Sequence, residues 1–167
     1  LASQSPRRSQ LLTQIGVAHE LLLPGADEDA EALEAERAGE APLSYVQRVT
    51  RAKLGAALLR RQQRGLPPAP VLCSDTTVAL GRRILGKPAD AADAARTLAL
   101  LAGQTHRVIT AVAVGWGEGA DQQALAVSTS TVRFLPLSVA QIDAYVASGE
   151  PFGKAGAYAI QSQAAAW

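Results

Sequence analysis

At 167 residues, with 48% hydrophobic and 19% charged side chains, the chain can bury one core and is too apolar for a disordered polymer. A formal net charge of +1 and only 4% aromatic residues argue against a nucleic-acid binder, and no apolar run approaches the roughly 18 residues of a membrane-spanning helix. The single cysteine, Cys73, rules out an intrachain disulfide and favours a reduced, cytoplasmic setting.

In chain order, PRRSQLLTQI (6–15) predicts a helix, with Ser5 as N-cap, Pro6 at the first helical position and Gly16 as the stop. HELLL (19–23) predicts a strand, and the Pro-, Gly- and acid-rich stretch 24–41 a loop. A long helix is expected from Pro42 to about Arg64, followed by the loop GLPPAP. VLCSDTTVAL (71–80) has the β-branched content of a buried strand, which Gly81 and Arg82 turn into a short hairpin ending at ILGKP. Asp90 caps a helix running to about Leu101 and closed by Gly103. Residues 105–116 and 123–134 predict a hairpin of two long strands joined by GEGAD. Ser138 to Ala147 predicts another helix, PFGKAG a loop, and AYAIQ (157–161) a final strand. The pattern implies an α/β fold, a mixed twisted sheet flanked by helices, in one domain over 1–167 without repeats. Leu1 reads as the middle of an element and QSQAAAW as an open end, so a few preceding residues and a closing segment are expected beyond the sequence.

Several residues do not fit a purely structural pattern. Val46, Val49, Lys53 and Ala56 or Ala57 share one helical face, so Lys53 either snorkels to water or directs its ammonium into a polar cavity. Asp75 sits among Ser74, Thr76 and Thr77 inside an apolar strand. A buried carboxylate there needs a cation, a metal or an exposed strand end; the alternative is an Asp that caps a turn or pairs with a nearby Arg. The acids Asp27, Glu28, Asp29, Glu31, Glu34 and Glu36 read as a solvated loop, one of whose carboxylates could join Asp75 on a hard divalent cation. GKP (86–88) and FGKAG (152–156) each set a lysine, Lys87 or Lys154, beside glycine in a loop. Together with Arg7, Arg8 and Lys53 they suggest a polyanion larger than one phosphate, although no Walker loop occurs. LASQSPRR (1–8) is either a capped helix with a solvated basic first turn or a helix start built around an anion. Cys73 reads as a small apolar core residue, and His19 and His106 lack ligand-spaced companions.

Taken in order, LASQSPRRSQLL, RAK (51–53), SDTTV (74–78), ILGKP (84–88), LAGQTHRVITAV (101–112) and GEPFGKAGAYAIQ (149–161) resemble the Maf-type nucleoside triphosphate pyrophosphatases, also known as septum-formation inhibitor proteins. The resemblance implies an inosine-triphosphate-pyrophosphatase-like fold of two lobes around a central cleft. It implies cleavage of a nucleoside triphosphate to monophosphate and pyrophosphate with a divalent metal, Mg²⁺, Mn²⁺ or Co²⁺, in a cytoplasmic homodimer; the composition itself points to no nucleic-acid or membrane partner. The first arginine of SPRR, the Asp-Thr of SDTTV and the Gln of AIQ are similar to the branch acting on dTTP and UTP. By the same resemblance Asp75 is the proton acceptor and Arg7, Thr76 and Gln161 are specificity positions. On the chemistry of αβ-phosphoanhydride cleavage, Lys53, Lys87, Arg8 and Lys154 are expected to neutralise phosphate charge. Ser3 and Ser5 would cradle phosphate, and Glu28 would join Asp75 on the metal. Two departures stand out: Ser162 follows Gln161 where the family has Gly, and 27–40 matches poorly. A nucleotide-binding regulatory module of septum formation with little hydrolysis is the alternative. An aspartyl phosphatase fits less well, because Thr77 stands where that chemistry wants a second Asp.

Overall fold

The computed structural model describes residues 1–25, 28–29, 32–117 and 122–167. Among them are four α-helices, α1 (Pro6–Gln14), α2 (Pro42–Gln63), α3 (Ala91–Leu101) and α4 (Val139–Ala147), and four strands, β1 (Val71–Leu80), β2 (Arg83–Leu85), β3 (Thr105–Gly115) and β4 (Gln123–Arg133). The strands form one antiparallel sheet in the order β2-β1-β3-β4, with β1 and β2 in the register Val78 to Leu85 and Leu80 to Arg83. The α/β class read from the sequence therefore holds, and the hairpin strands fall within a residue of their expected bounds. Asp27, Glu31 and most of the GEGAD turn lie outside the described residues.

Local rules set most helix ends. Asp90 accepts a hydrogen bond from the Asp93 N–H at 2.7 Å, and Ser138 and Gln141 form a reciprocal capping box. Gly16 takes φ +74°, with its N–H on Thr13 O and that of Val17 on Leu12 O, which ties off the last carbonyls of α1. Ser5 occupies the N-cap position of α1 but makes no side-chain cap. Two expected strands are absent. Residues 19–23 carry no regular secondary structure; Leu1 N–H donates to Glu20 O and Leu22 N–H to Leu1 O, too little for a ladder. Residues 157–161 run between two short 3₁₀ turns, Ala155–Ala157 and Gln163–Ala166, where Gly156 and Ala157 take positive φ that no strand accommodates.

The chain divides into two compact units, each assembled from separate stretches. The first comprises 1–40, 44–75 and 111–127, and its apolar interior is formed by Leu22, Leu54, Ala57, Val71, Cys73 and Ala113. The second comprises 41–43, 76–110 and 128–167, with a larger interior in which α3 and α4 pack Leu98, Leu101, Ile142 and Tyr145 against Phe134 and Tyr158.

Candidate active site

In the first unit, α2 carries the charged side chains. Val46, Val49, Thr50, Leu54 and Ala57 are fully buried, and Lys53 lies on the same side with its side chain 20% exposed. Its ammonium donates to Asp75 Oδ1 at 2.6 Å and to Glu34 Oε1 at 2.8 Å. The ammonium is thus held by two carboxylates. Burial pulls the lysine pKa down, but the Asp75 charge and the hydrogen bonds to Asp75 and Glu34 outweigh it, so the group is held above its ordinary value. Asp75 is 9% exposed on β1, and its burial is tolerable because a cation meets it.

The helix start supplies the second cation. The Arg8 guanidinium donates to Ser3 Oγ at 3.0 Å, and the Ser5 N–H donates to the same oxygen at 3.2 Å. Burial lowers the Arg8 pKa, while Asp75, Cys73 and Glu34 oppose that shift, which puts the arginine in the field of the same two carboxylates as Lys53. Tyr45, pushed up to about 12 by burial and then by the negative charge of Asp75 and Glu34, donates its hydroxyl to Glu34 O at 2.8 Å. Ser3 and Ser5 line an open hollow with Ser9, Gln10, Leu21 and Leu23.

Three acids of the 24–41 stretch are paired with cations of α2. Glu28 holds Arg60 through both carboxylate oxygens, at 2.7 Å from Nε to Oε1 and 2.5 Å from Nη2 to Oε2. Glu40 holds Arg48 in the same forked manner, at 2.7 and 2.6 Å, and Glu34 holds Lys53 between them. As the loop advances from 28 through 34 to 40, its helix partners step back from 60 through 53 to 48. The loop thus lies antiparallel along α2 on three charged rungs. Glu28, expected beside Asp75, holds Arg60 here, and Glu34 meets Asp75 on a shared cation.

In the second unit, the two glycine–lysine loops meet: the Gly156 N–H donates to Gly86 O at 3.0 Å, bringing the loops that carry Lys87 and Lys154 together. Gly156 is required there. Its φ is +70°, and a Cβ would lie 2.8 Å from both methyl carbons of Val78. Lys154 donates to Phe152 O at 3.3 Å, and Thr76 shares a 3.0 Å hydrogen bond with Thr110. Gln161 is exposed, next to Ser162, whose hydroxyl lies 2.6 Å from Glu150 Oε2. Arg7 is half-buried in the first turn of α1. Cys73 is fully buried, and burial raises its thiol to about 11, so it is inert packing. His106 is buried against Phe134 and Tyr158, sharing a 2.7 Å hydrogen bond with the Tyr158 hydroxyl.

Residues 1–167 match the family model described as Maf-like protein. The chain is 64% identical over 167 residues to the dTTP/UTP pyrophosphatase of Albidiferax ferrireducens, covering all of this chain and 82% of that protein. It is 61% identical over 165 residues to the dTTP/UTP pyrophosphatase of Polaromonas sp., covering 99% and 80%, and 63% identical over 165 residues to that of Cupriavidus metallidurans, covering 99% and 81%. Among solved structures it is similar to a nucleoside-triphosphatase (dITP/XTP pyrophosphatase) from Mycobacterium abscessus, with a TM-score of 0.39 and 17% identity over 78% of this chain and 69% of that one.

Proposed function

The chain belongs to the Maf family, and on that footing we propose that it hydrolyses nucleoside triphosphates, dTTP and UTP foremost, to the monophosphate and pyrophosphate. The observation that carries the reading is the buried strand carboxylate of Asp75 held 2.6 Å from Lys53, in the field of Arg8. Cleavage at the α-phosphorus needs a base for water and cations for the oxygens that gain charge. Asp75 is the acceptor of the water proton. The new P–O bond forms as the bond to the bridging αβ oxygen breaks, and the leaving pyrophosphate departs with its charge matched by Lys53 and Arg8. Ser3 orients Arg8, and the first N–H groups of α1 add partial positive charge beside it.

A divalent cation belongs to the same reading. Two carboxylates, Asp75 and Glu34, already share one cationic group, and hard oxygens of this kind suit Mg²⁺ or Mn²⁺. Those two residues would hold it in preference to Glu28, whose oxygens are taken by Arg60. When bound, the ion would polarise phosphate oxygens. Base choice is assigned, by family resemblance, to Arg7, Thr76 and Gln161, and further phosphate neutralisation to Lys87 and Lys154. The physiological consequence of the activity would be removal of pyrimidine triphosphates from the nucleotide pool.

The test is a panel of canonical and modified nucleoside triphosphates, each assayed for pyrophosphate and monophosphate with Mg²⁺, Mn²⁺ or Co²⁺. Pyrophosphate release greatest for dTTP and UTP is expected. Tight nucleotide binding without pyrophosphate, or release of inorganic phosphate instead, would overturn the reading.

A further inference from the structure

The middle rung of the loop–helix ladder differs from the outer two. Glu28–Arg60 and Glu40–Arg48 are forked guanidinium pairs, each using both carboxylate oxygens. In the Glu34–Lys53 rung the cation is an ammonium that gives Glu34 Oε1 one hydrogen bond at 2.8 Å and is shared with Asp75 at 2.6 Å. Forked pairs hold geometry more firmly than a point charge on a flexible stem. The middle rung can therefore open while the outer rungs, together with Tyr45 on Glu34 O and Arg48 on Ala35 O at 2.9 Å, keep the loop on the helix.

We propose that Glu34 is an internal competitor for Lys53, so that a polyphosphate gains this ammonium only by displacing the Glu34 carboxylate. The inference rests on the reading of Lys53 as a triphosphate contact and adds how that contact is controlled. A phosphate chain brings several anionic oxygens to a cation that Glu34 serves with one, so exchange favours the chain once it is anchored elsewhere. Apparent affinity for any anion that uses Lys53 is then reduced by the fraction of molecules in which the rung is open. Asp75 keeps its hydrogen bond throughout, which leaves Lys53 placed for the incoming phosphate.

The experiment uses inorganic tripolyphosphate as the probe, titrated calorimetrically into the full chain in metal-free buffer. Glu34→Gln is expected to bind it roughly tenfold more tightly than the unaltered chain. In a Lys53→Gln background the same change should alter affinity by less than about twofold, because the competition acts through Lys53 and not through general charge. Equal affinity in Glu34→Gln and the unaltered chain, an equal gain in both backgrounds, or no tripolyphosphate binding by any variant would each overturn the proposal. A second measurement needs no variant. Carbodiimide labelling of carboxylates, read by mass spectrometry, should modify Glu34 faster when tripolyphosphate is bound and leave Glu28 and Glu40 unchanged; slower or unchanged labelling of Glu34 overturns it as well. Hydrolysis of dTTP and UTP by the unaltered chain is scored separately, so loss of the functional reading and loss of the competition are told apart.

Discussion

The two units bury different chemistry. The first encloses Ser3, Thr50, Arg60, Ser74 and Asp75 among a modest set of aliphatic residues, and fastens its loop with three carboxylate–cation rungs. The interior of the second is a cluster of rings: Phe134 meets His106, Tyr158 and Trp167, and Tyr145 meets Trp167, all edge to face at centroid separations of 4.7 to 5.7 Å. Apolar burial is non-directional and rewards volume, whereas a buried ion network is strong only with every partner present. The contrast teaches that charged chemistry is concentrated in one interior and packing stability in the other. One strand serves both, since β1 ends the first unit's share at Asp75 and begins the second's at Thr76.

The largest expected effect is on catalysis. Asp75→Asn should lower kcat/KM for dTTP by about 10²–10⁴-fold while near-ultraviolet circular dichroism stays unchanged, which steady-state pyrophosphate assays would measure. Full activity in this variant would remove the base and erase the contrast. Next is Tyr145→Ala, which empties a fully buried ring site and frees the Ala159 N–H that now donates to the tyrosine hydroxyl at 3.1 Å. It should cost about 3–5 kcal/mol in denaturant unfolding, with kcat retained at temperatures below the transition. A collapse of kcat in the still-folded variant would show that the two interiors do not divide the work. Gly156→Ala should cost at least about 1–3 kcal/mol, because the left-handed backbone and the contact with Val78 both oppose a Cβ.

The smallest effects are in pH dependence, and they separate the interiors. Burial holds the His106 pKa below 6.5. The unfolded chain therefore binds this proton first, and the contribution is present above pH 6.5 and lost as pH falls below it. Glu28 is held at about 2, chiefly by its hydrogen bond to Arg60, against 4.5 when unperturbed. Its contribution is present above pH 4.5 and disappears only as pH falls toward 2. Thermal unfolding followed against pH should show both declines. His106→Phe should flatten the one starting near neutrality and Glu28→Gln the one in acid; the reverse assignment would contradict the division.

Much of this was legible in the sequence because it is governed by neighbours in the chain. Asp90 with Asp93, Ser138 with Gln141, and Gly16 at a helix end are local hydrogen-bond solutions. The apolar face of α2 exposed Lys53 as an anomaly by periodicity alone, and a carboxylate within an apolar strand singled out Asp75. What the sequence could not decide depended on distant partners. HELLL has strand composition, but a strand exists only where a ladder forms, and two backbone hydrogen bonds to Leu1 do not make one. AYAIQ is apolar and β-branched in part, yet Ala157 takes φ +59° and 3₁₀ turns flank the stretch, so it forms no strand. Glu28 and Glu34 are chemically alike and six residues apart in one loop, so nothing local distinguishes them. Only the antiparallel register of that loop against α2, fixed at both ends by forked arginine pairs, gives Arg60 to one and Lys53, with Asp75, to the other.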